Sequence, residues 1–162
     1  RTYMIRGTEC HTNGAEATVG KMIGAERCDV HGQHAWDYLK LDVDGCVVSF
    51  AHHMPCSTRK GLQASAHSAI LDDECLRALD AGQVPARVVC RAHRHEHGQW
   101  STGSTMSLVT GPWQGLTRFG WKAVPSAVPK PSAILMSFEG DILPKVDCFF
   151  GRIKKDDYKV KI

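Results

Sequence analysis

The sequence predicts an α/β fold in a single domain, and three observations support that prediction. Strand-like and helix-like segments alternate through the first half of the chain, and only strand-like segments follow. The length of 162 residues falls in the usual range for one domain, so residues 1–162 are expected to fold together. Histidines directly follow two of the strand-like segments, and ligand sites of α/β folds form at such strand ends.

The N-terminal segments predict a short strand followed by a helix. Residues 2–5 have β-forming composition and lead into Gly7. Asn13 and Gly14 then predict a turn, and residues 15–23 have helix-forming composition. Gly24 is the expected helix stop, because glycine adopts the left-handed conformation that ends many helices.

A β-hairpin is predicted next. Residues 36–43 alternate in part between apolar and polar side chains, which favours a strand. Asp44 and Gly45 are typical of a two-residue hairpin turn. Residues 46–51 form an apolar run that predicts a buried strand, and a pair of histidines follows it directly.

The longest predicted helix covers residues 64–81. The acidic run Asp72-Asp73-Glu74 is expected largely in solvent, and Gly82 is the expected end of the helix. The apolar side chains are expected on one side of the helix, which would then face the sheet. They are Ile70, Leu71, Cys75, Leu76 and Leu79.

The second half of the chain predicts strands. After Pro85, residues 86–90 predict a strand, apolar except for Arg87, that again ends near histidines. Residues 111–131 are rich in glycine, proline and tryptophan, and we interpret them as a loop whose tryptophans pack over the sheet; the alternative is that they stack on a nucleotide. Further strands are predicted at residues 104–110, 132–138 and 142–150.

The composition excludes several classes of protein. Apolar residues make up 43% of the chain and charged residues 23%, which is ordinary for a globular domain and unlike collagen, a coiled coil or a disordered segment. No apolar run approaches the ~18 residues that a membrane span requires, and the N-terminus lacks the apolar segment of a signal peptide. The net charge of +3 is small, and we interpret the basic cluster at residues 152–155 as a solvated tail.

The seven cysteines predict buried thiols in a reducing compartment. They are odd in number and irregularly spaced, and no CxxC pair is present, which argues against a structural zinc ribbon. We therefore expect a cytoplasmic location.

The placement of the nine histidines points to a metal site. Because side chains alternate along extended backbone, His93 and His95 are expected on one side, ~7 Å apart, with Arg94 on the other. Two such imidazoles can bind one metal ion or two neighbouring ions. By the same rule only one of His52 and His53 can face the site, and His52, the first residue past the strand, is the expected one.

Three short motifs follow three predicted strands. They are Gly7-Thr8-Glu9-Cys10-His11, His52-His53-Met54-Pro55 and Ala92-His93-Arg94-His95. In this order they resemble the GNH[DE], lone-histidine and GHxH motifs of calcineurin-like metallophosphoesterases. The first is similar to the GTExH form found in enzymes encoded by tailed bacteriophages, which would place the protein in the host cytoplasm. The likeness covers residues 3–97, and the rest of the chain matches only in general character.

The resemblance implies a fold, a cofactor and a reaction. The chain would be the C-terminal part of a metallophosphoesterase-type β-sandwich flanked by helices. It would bind two divalent metal ions (Mn, Fe or Zn) and hydrolyse a phosphomonoester or phosphodiester, with nucleotides or nucleic acid among the candidate substrates. The resemblance assigns metal binding to Glu9, His52, His93 and His95, and catalysis to His11. Substrate binding is expected of Arg94, and of Trp113 and Arg118, whose loop could stack on and pair with a nucleotide.

Two departures from the family pattern concern the completeness of this site. The Asn of GNH is absent, and Glu9 would supply an oxygen ligand in its place. No DxH or GDxxD segment precedes Gly7, although these segments supply the bridging aspartate and most ligands of one metal in the family. The chain also begins at Arg1 with a strand-like segment, so an upstream segment or a partner chain is expected to supply the aspartates.

Two other interpretations remain open from the sequence. The chain can be a non-catalytic structural or interaction protein that retained the fold. It can also be a small zinc module that uses Cys10 or Cys90 together with histidines. Strand parity argues against Cys90, because it lies three positions before His93 and should face the opposite side.

Overall fold

A computed structural model describes residues 1–8, 14–54, 63–113, 130–140 and 142–151. These ranges contain two helices, and neither of them is long and apolar enough to cross a membrane. The helices are α1 (Ala15–Met22) and α2 (Gln63–Asp80). The strands are β1 (Tyr38–Val43), β2 (Cys46–Ala51), β3 (Val88–Arg91), β4 (Gly98–Ser101), β5 (Met106–Val109), β6 (Ser132–Ser137) and β7 (Lys145–Phe150).

The strands of the described residues form two sheets. The larger sheet has the order β1-β2-β3-β5-β4, with the three central strands parallel and the two outer strands antiparallel to their neighbours. The smaller sheet is the antiparallel pair β6-β7. Because β2, β3 and β5 are parallel, their carboxyl ends lie at one edge of the larger sheet.

The β1–β2 hairpin forms at the predicted turn. Val43 pairs with Cys46, so Asp44 and Gly45 are the two turn residues. Their φ angles are 53° and 82°, the left-handed values that a type I′ turn requires and that Asp and Gly tolerate.

The larger sheet is covered on both faces. The β6-β7 pair covers one face, which we call the hairpin face. There, Val88 and Cys90 of β3 belong to an apolar cluster that the β6-β7 pair completes. On the helix face, Val89 packs with Ile70 and Leu71 of α2. The alternation of side chains along a strand produces this division, so these described parts of the chain form three layers, consisting of helix α2, the larger sheet and the smaller sheet.

Helix α2 matches the predicted helix but presents a different side to the sheet. Ile70 and Leu71 are buried as expected, whereas Leu76 and Leu79 are 63% and 60% exposed. Glu74 was expected in solvent and is buried instead, which corrects that prediction. The reason is the helical repeat, because a stripe of every fourth residue runs through the carboxylate: Ala66, Ile70, Glu74 and Ala78.

The remaining strands agree with the predictions except at β4. Gly98–Ser101 was not predicted as a strand, and it forms by antiparallel pairing with β5. The N-terminal segment makes a single parallel bridge, between Ile5 and Trp36, rather than a longer strand. Among the described cysteines, Cys28, Cys46 and Cys90 are buried free thiols, as expected.

Candidate functional site

The candidate site lies where β2 and β3 end side by side. The two strands are parallel neighbours, so their last residues, Ala51 and Arg91, lie at the same edge of the sheet. Just beyond the strands, the backbone N–H of Ala92 donates to the carbonyl of His52 at 3.0 Å. This bond holds together the two segments that carry the predicted ligands.

Three imidazole rings meet at this edge. The ring centroids are 5.0 Å apart for His52 and His93, 4.6 Å for His53 and His93, and 5.4 Å for His52 and His53. His52 Nε2 lies 3.0 Å from His93 Nδ1, and the hydroxyl of Thr8 lies 3.3 Å from the same Nδ1. The structure thus brings together two of the predicted ligands from distant parts of the sequence.

A first geometric prediction, that only one of the two adjacent histidines faces the site, concerns His53. Its ring contacts both His52 and His93. The alternation rule applies to extended strand, but β2 ends at Ala51, so both histidines lie beyond it. His53 thus contacts two predicted ligands but does not line the pocket in front of them, and His52 is the one of the pair that does.

The segment after β3 corrects a second geometric prediction. His93 and His95 have φ angles of 68° and 57°, so the backbone is left-handed at both residues rather than extended. The N–H of Arg94 donates to the carbonyl of Ala92 at 2.8 Å, which closes a tight turn. The two histidines still line one pocket, but it is the turn, and not strand alternation, that places them there.

A pocket of about 280 Å³ opens in front of these rings, and we call it the histidine pocket. Its walls include His52, His93, His95, Thr8 and Trp113. The Trp113 side chain is 81% exposed, while its indole N–H donates to the carbonyl of Ser132 at 2.8 Å. One end of the indole is therefore fixed by a hydrogen bond, and its ring faces solvent beside the histidines.

The other predicted site residues are placed differently. Arg94 is partly buried and is not among the residues that line the histidine pocket. Its positive charge instead acts on His67, whose pKa is lowered mainly by burial and further by the charges of Arg94 and His97. Glu9, His11 and Arg118 lie outside the described residues.

The histidine pocket fits part of the implied metal site. Two nitrogen ligands with bonds of ~2.1 Å are about 3.0 Å apart when they subtend roughly a right angle at the ion. The 3.0 Å between His52 Nε2 and His93 Nδ1 therefore suits a pair of ligands on one cation. Within the described ranges, however, no group of three or more His, Cys, Asp or Glu side chains is arranged to hold a metal ion. These residues supply a pair of ligands and not a complete centre.

An ionic cluster centred on the buried pair Glu74 and Arg91 supports the site from the helix face. The guanidinium of Arg91 lies 3.3 Å from Glu74 Oε2, and the hydroxyl of Tyr38 donates to Glu74 Oε1 at 2.5 Å. The ammonium of Lys40 lies 3.2 Å from the same oxygen. Burial lowers the pKa of Arg91, and burial together with the Glu74 hydrogen bond raises the pKa of Tyr38. Because Arg91 ends β3, the cluster fixes the strand that leads to His93.

Cys90 is not suited to the zinc module considered above. Its side chain packs in the apolar cluster between the larger and the smaller sheet. Burial raises the pKa of the Cys90 thiol to about 12, so the thiolate that binds zinc is disfavoured. The other candidate, Cys10, lies outside the described residues.

Comparisons with known proteins find similarity in structure and not in sequence. No family model matches the chain, and no curated protein matches it. Vacuolar Protein Sorting 29 from Cryptosporidium parvum is 15% identical, covers 95% of this chain and 82% of that chain, and has a TM-score of 0.50. Vps29 from Chaetomium thermophilum is 16% identical, covers 78% and 65%, and has a TM-score of 0.48. Wild-type Vps29 complexed with Zn²⁺ from Entamoeba histolytica is 16% identical, covers 75% and 66%, and has a TM-score of 0.44.

The Cryptosporidium match shows the fold. The chain has a mixed α/β structure with a central sheet flanked by helices, which is the metallophosphoesterase-like fold of Vps29. The predicted fold class is confirmed. An identity of 15% shows the fold alone, and the chain spans less than two thirds of the other two Vps29 chains, at 65% and 66%.

Proposed function

We propose that this chain contributes the histidine-rich part of a metal-dependent phosphoesterase site, completed by an upstream or partner segment. The observation that carries the proposal is the 3.0 Å separation of His52 Nε2 and His93 Nδ1 at the carboxyl edge of a metallophosphoesterase-like sheet. Two nitrogen ligands alone leave a cation open to other ligands and to a phosphate oxygen. Aspartates from another segment would complete the coordination of two ions (Mn, Fe or Zn).

The residues of the proposed site would have different roles. Divalent cations would supply Lewis-acid activation of water and neutralise charge on the phosphate. His52 and His93 would hold one cation, and His95 would add a ligand from the same pocket wall. Glu9 would supply an oxygen ligand, and His11 would protonate the leaving oxygen, a role that suits a group that titrates near neutral pH.

One organic group of the substrate, the nucleoside in the candidate nucleotides, would lie beside the histidines. Trp113 lines the histidine pocket with its ring exposed, so a base or another aromatic group can stack on it. Arg94 and Arg118 would contact phosphate oxygens further from the pocket. A phosphate ester, with nucleotides and nucleic acid as candidates, remains the proposed substrate, and the phage-type likeness and the cytoplasmic location also remain proposals.

The test measures metal binding and hydrolysis on the same preparations. The 162-residue chain is titrated with Mn²⁺ by calorimetry and assayed with bis(p-nitrophenyl) phosphate, alone and with a supplied segment that contains DxH and GDxxD. His93→Ala should abolish Mn²⁺ binding and turnover, because it removes one of the paired nitrogens. His31→Ala is the matched control, since His31 pairs with Asp37 and does not line the histidine pocket. Equal Mn²⁺ affinity in wild type and His93→Ala would contradict the proposal.

A non-catalytic structural or interaction protein is the second candidate. This candidate is favoured because, among the described side chains, no group of three or more His, Cys, Asp or Glu could hold a metal ion. It predicts a folded chain that contains no stoichiometric Mn, Fe or Zn by mass spectrometry after purification from metal-supplemented cells. It also predicts no hydrolysis when the DxH and GDxxD segment is supplied. A content of one or two metal ions per chain would exclude the non-catalytic candidate.

A further inference from the structure

A second cavity of about 290 Å³ adjoins the histidine pocket. Apolar side chains form most of its wall: Ile5, Phe50, Ile134 and Met136. It shares His52, Ala92 and Thr110 with the histidine pocket, so the two cavities meet at the same sheet edge. We call it the apolar cavity.

The apolar cavity continues the core between the two sheets. Phe50, Ile134 and Met136 all pack against the apolar cluster of the hairpin face. Along β6, Ile134 and Met136 are partly buried, whereas the neighbouring Ala133 and Leu135 are exposed. The inward side chains of β6 therefore form a wall that is already held in place by packing before any ligand binds.

We propose that the apolar cavity binds the aryl group of the phosphate ester whose phosphate lies at His52 and His93. This inference rests on the proposed function. Because His52 borders both cavities, a phosphate and a group attached directly to it would occupy adjoining spaces. A volume of about 290 Å³ accommodates one or two fused rings, and the ring of Phe50 and the thioether of Met136 are favourable neighbours for an aromatic group.

Direct and competitive binding of four probes tests the inference without requiring turnover. The probes are methyl phosphate, octyl phosphate, 1-naphthyl phosphate and 1-naphthol, titrated into the chain in the presence of Mn²⁺. Methyl and octyl phosphate are measured by displacement of 1-naphthyl phosphate. Wild type should bind 1-naphthyl phosphate about tenfold or more tightly than methyl phosphate, because burial of the rings adds a hydrophobic contribution.

Two matched variants on one strand locate the effect. Ile134→Asn places an amide in the wall of the apolar cavity and should remove most of the naphthyl preference. Leu135→Asn makes the same change one residue along β6, at a side chain that is 54% exposed, and should keep that preference. The conservative Met136→Leu keeps an apolar wall and should bind 1-naphthyl phosphate like wild type, which provides a folded comparison if Ile134→Asn fails to fold.

Each result separates the two proposals. Equal affinities for methyl and 1-naphthyl phosphate would overturn the apolar cavity as an aryl site and leave the phosphate site standing. Tighter binding of octyl phosphate than of 1-naphthyl phosphate would overturn the aryl assignment in favour of an alkyl chain. Binding of 1-naphthol that is lost in Ile134→Asn, without binding of any phosphate, would support the aryl cavity and overturn the proposed function.

Discussion

The two faces of the larger sheet are built from different chemistry. The hairpin face is apolar, and its fully buried side chains include Cys46, Val48, Val88 and Leu108. The helix face also contains apolar side chains, but polar and charged groups are buried among them. They are Ser49, Arg91 and Ser107 from the sheet and His67 and Glu74 from α2.

The two faces therefore contribute differently: the hairpin face mainly stabilises the sheet, and the helix face mainly positions the residues of the histidine pocket. Apolar packing is non-directional, so the hairpin face stabilises the sheet without bonding any polar group at a set angle. Hydrogen bonds and ion pairs in a buried cluster are directional and are costly to leave half made. Arg91 belongs to such a cluster and ends the strand that leads to His93, so the helix face is the one that sets the geometry of the histidine pocket.

The largest expected effect on stability comes from a substitution that breaks the ionic cluster of the helix face. Glu74→Leu leaves the guanidinium of Arg91 buried without its carboxylate, and we expect a loss of about 3–5 kcal/mol in the free energy of unfolding. Asp73→Leu is the matched control on the same helix, because the Asp73–Arg77 pair is exposed and worth less than about 1 kcal/mol. Urea unfolding followed by circular dichroism measures both.

The double variant sharpens this result. Glu74→Leu combined with Arg91→Met removes both charges, and it should recover most of the stability lost in Glu74→Leu alone. It should not recover the Mn²⁺ affinity of the histidine pocket if the cluster positions β3. Full recovery of both the stability and the Mn²⁺ affinity would show that the helix face does not set the geometry of the histidine pocket.

The next effect belongs to the hairpin face. Leu108→Ala removes a side chain that is completely buried in the apolar cluster, and we expect a loss of about 2–5 kcal/mol in the free energy of unfolding. Because apolar packing is non-directional, the Mn²⁺ affinity of the folded variant should stay close to that of wild type. Leu135→Ala, at an exposed side chain of β6, should cost far less. A large loss of Mn²⁺ affinity in Leu108→Ala would contradict the division between the faces.

The sequence predicted the hairpin face better than the helix face, for physical reasons. The run at Cys46–Ala51 is apolar except for Ser49, so its burial and its strand conformation follow from composition. Glu74 was placed in solvent because a carboxylate in an acidic run is usually solvated, whereas its burial depends on Arg91 from a distant strand. The strand Gly98–Ser101 likewise depends on its pairing with β5 and has no strong local pattern.

The candidate site shows the same limit. The meeting of His52 and His93 followed from their positions after two strands, because parallel neighbours end at one edge. The turn at His93 and His95 did not follow, because the segment has no glycine to indicate left-handed backbone. Position in the fold was therefore predictable from the sequence, and the local backbone conformation was not.

The pH dependence of stability provides a smaller test of the helix face. His67 is buried, its Nδ1 lies 2.9 Å from the hydroxyl of Ser107, and burial lowers its pKa below the ordinary value. The folded state therefore prefers neutral His67, so this contribution to stability is complete above the unfolded pKa of about 6.5 and is lost as the pH falls below it. The slope from this one group is at most about 1.4 kcal/mol per pH unit.

The variant His67→Gln isolates that contribution, because glutamine keeps a polar side chain that does not titrate. Urea unfolding at pH 7.5 and pH 5 should show a smaller loss of stability on acidification in His67→Gln than in wild type. His97, whose pKa burial also lowers, remains in both proteins and acts in the same direction. Identical pH profiles would show that His67 is no source of the acid sensitivity.

The smallest expected effect concerns the sheet edge that both faces share. His95 has a φ angle of 57°, a left-handed conformation that costs a non-glycine residue about 1 kcal/mol, and it lines the histidine pocket. His95→Gly and His95→Ala both remove the imidazole, but only glycine relieves the backbone. We therefore expect the glycine variant to be more stable to urea than the alanine variant by about 1 kcal/mol, with equally reduced Mn²⁺ affinity. Equal stabilities would mean that this turn stores no strain, and unchanged Mn²⁺ affinity in both variants would remove His95 from the proposed ligands.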